Sequence, residues 1–70
     1  MEFKDRLKQL RAKRNLTQKE LAGALFVTRE LICQYEIGTK TPTMAMLAAL
    51  AKELNTTTDY LIRGERVTHE

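Results

Sequence analysis

The chain has one cysteine, one histidine, one proline, three glycines and no tryptophan among its 70 residues. One cysteine excludes an internal disulfide and suits a reducing, cytoplasmic compartment. Cys33 and His69 lie far apart, the histidine in the last few residues, so neither a zinc site nor a Cys–His nucleophile pair is available. Gly23, Gly38 and Gly64 are isolated, so no glycine-rich loop can cradle a phosphate. The longest apolar run, residues 44–51, is too short to span a bilayer, and the N-terminus opens with charges, unlike a signal peptide. Repeats, low-complexity tracts and internal linkers are also missing. No cofactor, metal or enzyme chemistry is expected from these parts.

What is there describes one small folded domain. Hydrophobic residues make up 43% and charged residues 30%, an ordinary globular balance near the lower size limit for folding on buried apolar surface alone. The net charge is +3, compatible with a polyanionic partner. Its distribution is uneven. Residues 1–14 carry six Lys and Arg against two acids, a balance of +4, and the remainder is slightly acidic. Much of that basic first helix reads as a solvated face.

Residues 17–36, TQKELAGALFVTRELICQYE, read as two short helices joined by a tight turn. Thr17 can cap the first, with Glu20 closing a capping box. Leu21 and Leu25 share one face beside the small Ala22, and Val27 is apolar in the turn. Thr28 can cap the second helix, whose buried edge is Ile32 and Tyr35. This is the helix-turn-helix pattern, in which the second helix enters the DNA major groove.

Three more helical segments flank that pair. Phe3, Leu7 and Leu10 give a first helix over about residues 2–14, with Asn15 at a left-handed cap. The second and third run over about 17–25 and 28–37, and Gly38 closes the third. Pro42 suits the first turn of a fourth helix, about 43–54, which buries Leu47, Leu50, Ala51 and Leu54. Met44 and Met46 read as packing of that helix. Asn55 ends it, Thr57 can cap a fifth, and Leu61 and Ile62 fold back on the core before Gly64. Residues 65–70 read as a frayed tail or a short link, and the shortness of that tail suggests a complete protein.

The run LTQKELAGALFVT, the Tyr35-Glu36 pair, Gly38, Pro42 and then LAALAKELNTTTDYLIRG resemble the Cro/repressor (Xre-type) family of phage and bacterial regulators over roughly residues 3–64. The resemblance implies an all-α, five-helix, lambda-repressor-like domain over residues 1–64, with the helix-turn-helix at helices two and three. It implies a repressor that binds an inverted-repeat operator in double-stranded DNA as a homodimer, its half-sites one turn apart.

Taking Ile32, Tyr35 and Glu36 as inward, steps of about 100° put Glu30, Cys33, Gln34 and Ile37 on the opposite face of helix three. Arg29 can read guanine O6 and N7, Gln34 can read adenine, and Glu30 can accept from cytosine or reject wrong sites. The family places base readers at these three positions. Gln18 matches a family glutamine whose amide bonds a phosphate oxygen, and Thr28, Lys19 and Lys40 are further backbone anchors. Arg11 and Glu36 match two family positions that pair as a brace between helix one and the end of helix three. By the same resemblance the dimer surface involves Thr56, Thr58, Tyr60, Leu61 and Arg63.

Three departures stand out. Phe26 occupies a position where a small residue often supplies a positive φ, so the turn is strained or reshaped. Leu31 and Ile37 replace polar residues and are candidates for thymine-methyl contact or for cover by a protein partner. Cys33 reads as a small hydrophobe, with redox sensitivity as the sharper alternative. Two rival readings follow: a protein-interaction module of the same fold, such as an antitoxin or transcription cofactor, or a fragment of a longer ligand-sensing regulator.

Overall fold

Four threonines decide where four of the five helices begin. In the computed structural model, which describes residues 2–64, the elements are α1 (Phe3–Lys13), α2 (Gln18–Leu25), α3 (Arg29–Ile37), α4 (Met44–Glu53) and α5 (Thr58–Arg63). Thr17, Thr28, Thr43 and Thr57 precede the last four and accept, through Oγ1, the N–H of Glu20, Leu31, Met46 and Tyr60 at 3.0–3.2 Å. Each such cap contributes about 1 kcal/mol by satisfying an orphan donor. Glu20 completes the capping box, accepting the Thr17 N–H at 2.9 Å. Thr43, not Pro42, starts α4: the proline stands one residue before the cap, outside the helix.

Four helices also end alike. Leu16, Val27, Thr39 and Thr56 each donate an N–H to the carbonyl five residues back, on Arg11, Ala22, Gln34 and Ala51. That closure requires a left-handed residue just before the donor. Asn15 (φ 59°), Gly38 (φ 97°) and Asn55 (φ 57°) fill the role cheaply, and Phe26 (φ 60°) fills it against its own Cβ. Phe26 is held there from both sides. Its N–H donates to Gly23, and the following Val27 packs on the core, while the phenyl ring stands 95% exposed.

The core takes at least one fully buried side chain from every helix: Leu7, Leu21, Ile32, Leu50 and Leu61, with Leu54 at the end of α4. Burial of each such side chain contributes roughly 1.5–3 kcal/mol. Through this core α1 packs on α3 and α5, α2 on α3 and α4, and α4 on α5. The helix-turn-helix pair is thus backed by α1 and α4, which α5 joins from behind. No helix among the described residues is long and apolar enough to cross a membrane.

Several expectations are corrected. Leu61 is wholly buried, so it belongs to the core and offers nothing to a dimer surface. Ile62, expected to fold inward, is 46% exposed, because adjacent helical positions turn by about 100° and Leu61 has taken the inward one. Met44 is exposed at the first position of α4, while Met46 packs on the core. The expected tail 65–70, with His69, lies outside the described residues.

Candidate nucleic-acid interface

Helix α3 divides cleanly by face. Ile32, Tyr35 and Glu36 are buried. Thr28, Arg29, Glu30, Leu31, Cys33 and Gln34 line one shallow, open depression, joined across the next loop by Lys40. Arg29, Glu30 and Lys40 are exposed and Gln34 is half-buried. Three residue types suited to base edges and one ammonium therefore share a single surface at the N-terminal half of α3.

Leu31 lines that surface while half-buried against the core, so the apolar side chain it offers there is partial. Ile37 is 58% exposed but lines a different depression, with Lys4, Asp5, Lys8, Arg11, Gln18 and Glu36. Helical geometry explains the split: Ile37 is two turns from Glu30, at the far end of α3.

A chain of hydrogen bonds ties the two helices of the pair to α1. Arg11 Nε donates to Glu36 Oε2 at 2.6 Å, and its Nη2 to Oε1 at 3.1 Å. The third arm, Nη1, donates to the Leu16 carbonyl at 2.6 Å, bracing the α1–α2 connection. The Glu36 side chain is only 3% exposed, so its charge has left water and rests on this fork. The Glu36 hydrogen bond holds the Arg11 guanidinium's pKa above its ordinary value, against a smaller opposing effect of burial. Gln18 Nε2 adds a third bond to Glu36 at 3.0 Å, and Gln18 Oε1 accepts from Arg29 Nη1 at 2.9 Å.

Gln18 and Arg29, expected to face DNA independently, are thus joined. The Gln18 amide nitrogen has a second hydrogen beyond the one given to Glu36, and the Arg29 guanidinium keeps most of its donors. Lys19 is exposed on the first turn of α2, where unpaired backbone N–H groups attract anions. Arg11, Asn15, Leu16, Thr17, Gln18, Lys19 and Arg29 surround that end. At the other end of the domain Thr56, Thr58 and Tyr60 are half-buried and Arg63 is exposed.

Arg6 is the residue that reading the sequence missed. It is only 4% exposed, its Nε donates to the Leu61 carbonyl at 2.8 Å, and its Nη2 donates to the Ile62 carbonyl. It ties α1 to the C-terminus of α5, where carbonyls lack helical partners. A signal was present: Arg6 is three residues from Phe3 and four from Leu10, at the edge of the apolar stripe.

Comparison with known proteins follows this geometry. A family described as a helix-turn-helix domain matches residues 5–67. The HTH-type transcriptional activator BcrR of Enterococcus faecalis is 42% identical over 67 residues, covering 96% of this chain and 33% of that protein. An uncharacterized HTH-type transcriptional regulator of Bacillus subtilis, YqaE, is 35% identical over 63 residues, 90% of this chain and 54% of its own length. The chain therefore spans between a third and just over half of these relatives. The solved P22 c2 repressor protein, in complex with a synthetic operator, superposes with a TM-score of 0.89 at 29% identity, covering 93% of this chain and 98% of that one.

Proposed function

Because the chain belongs to the helix-turn-helix domain family, as an Xre-type member with the lambda-repressor-like fold, we propose that it is a sequence-specific DNA-binding unit of a transcriptional regulator. In this reading α3 enters the major groove, with Arg29, Glu30 and Gln34 at base edges. Gln18, Lys19, Thr28 and Lys40 hold phosphates on either side. The single observation that carries it is the shared open surface of Thr28, Arg29, Glu30, Gln34 and Lys40, beside the N-terminal turn of α2.

Two domains bound as a homodimer would set their α3 helices about 34 Å apart and require an inverted repeat. Thr56, Thr58, Tyr60 and Arg63 are the candidate contact residues, and Leu61 is withdrawn. Whether occupancy represses or activates depends on where the operator lies relative to the promoter, and the relatives carry both signs.

Fluorescence anisotropy on the DNA upstream of its own gene, with competitor and a salt series, tests the reading, backed by selection from random duplexes. Saturable nanomolar binding that survives competitor, two chains per duplex, and an enriched inverted repeat support it. Binding erased by competitor, with no enriched sequence, overturns it. One observation favours a protein-interaction module instead: Phe26 presents a nearly fully exposed ring in the turn. Stable co-purification of a partner that is lost on Phe26→Ser would carry that second reading.

A further inference from the structure

We propose that α1 adds a second phosphate-binding flank to the DNA-binding surface, built on Lys4 and Lys8 and separate from the anchors on the helix-turn-helix pair. The inference rests on the DNA-binding reading above and extends it to residues that composition alone assigns to solvent.

Lys4, Lys8 and Arg11 recur at helical spacing and share one side of α1. They line one depression together with Gln18 and the C-terminal end of α3. That depression adjoins the one at the start of α2, since Arg11 and Gln18 line both. Arg11 is committed to Glu36 and to the Leu16 carbonyl. Lys4 and Lys8 are not committed: among the described residues neither has an ion-pair or hydrogen-bond partner. Two carboxylates line the same depression: Glu36 is taken up by Arg11 and Gln18, and Asp5 accepts the Glu2 N–H at 3.2 Å as part of the α1 cap.

The place of Lys4 is specific. A Cβ on Gly38 would stand 3.1 Å from Lys4 Cδ and 3.9 Å from Nζ, so the Lys4 stem lies across the end of α3. Its ammonium therefore sits beside the helix that enters the groove. The occupant follows from charge and continuity. Two uncommitted ammonium groups flank an α2 N-terminus already suited to a phosphate, and the next phosphates along a duplex strand are the polyanion in reach.

A structural alternative exists for Lys4, because the last turn of α3 has no basic residue and a cation there offsets the helix dipole. Salt dependence separates the two. Full-length protein is titrated onto a duplex that it binds, with wild type, K4Q, K8Q, K4Q/K8Q, the charge-preserving K4R/K8R and the control K13Q compared. Lys13 is exposed, points away from this side of α1 and lines none of these depressions. Each phosphate contact contributes about 0.9 to the slope of log K against log salt. The expected result is a slope shallower by about 1 for each single variant and about 2 for the double, at unchanged sequence preference. K13Q and K4R/K8R should keep the wild-type slope, and circular dichroism verifies that each variant is folded. A double variant whose slope equals that of wild type overturns the flank while leaving the DNA-binding reading standing. Wild-type protein that binds no duplex above competitor overturns both.

Discussion

Arg29 Nη1 donates a 2.9 Å hydrogen bond to Gln18 Oε1, so the first side chain of α3 is held by the first side chain of α2. Gln18 is itself held by Glu36, and Glu36 by Arg11. The guanidinium proposed to read a base is therefore positioned through three side chains that begin on α1.

Gln18→Leu removes the acceptor for Arg29 and one of three donors to Glu36. The fold should survive, because both Arg11 bonds to Glu36 remain. DNA affinity should fall about tenfold, with weaker discrimination at the base pair facing Arg29, from hydrogen bonds worth about 1–2 kcal/mol. Anisotropy with single-base operator variants measures both effects. Unchanged discrimination would show that Arg29 needs no support from Gln18.

Arg11→Met leaves the buried Glu36 carboxylate with Gln18 as its remaining side-chain partner, and should destabilise the domain by roughly 3 kcal/mol or more. Arg11→Met with Glu36→Leu should recover much of that loss, because no charge is then left buried. Urea denaturation of the full double-mutant cycle gives the coupling. Additive losses would mean that the pair contributes nothing as a pair.

Arg6→Met removes the donors to the Leu61 and Ile62 carbonyls while keeping much of the buried stem. The loss should be about 1–3 kcal/mol, concentrated on α5. Hydrogen exchange should quicken at Tyr60–Gly64 amides more than in α2. Uniform acceleration across all helices would place the effect on global stability instead.

Phe26→Gly should stabilise the protein by roughly 1 kcal/mol, since the ring has almost no packing to lose and glycine adopts φ 60° without penalty. A higher melting temperature with unchanged DNA affinity is the expected pair of results. A lower melting temperature would mean that the ring stabilises the turn.

The helix boundaries were largely legible because they are local. A threonine cap acts on an amide three residues away, and Asn15, Gly38 and Asn55 announce left-handed closures by their own conformational preferences. The buried face of α3, with Ile32, Tyr35 and Glu36, followed from helical spacing alone. Met44 and Ile62 were misread because hydrophobicity says that a residue prefers burial, not that the neighbouring helices leave room for it. Leu61 was read both as core and as dimer surface, and the core claims it.

What the sequence determined by itself was the order of five helices, their caps, the inward face of α3 and the excess of base in α1, all properties of neighbours within a few residues. Tertiary structure decided where the long side chains went. Arg6 and Arg11 are both arginines on one helix. One is drawn to the carbonyls of α5 and the other to a carboxylate on α3, across separations of 55 and 25 residues. Such pairings depend on which helix ends the packed core brings together, and no spacing within α1 encodes them; the Arg11–Glu36 brace was legible only through the family resemblance, and the Arg6 pairing not at all. Lys4 and Lys8 stand where they do for the same reason: the core seats α1 against α3, and their side of α1 borders the depression that Gln18 also lines.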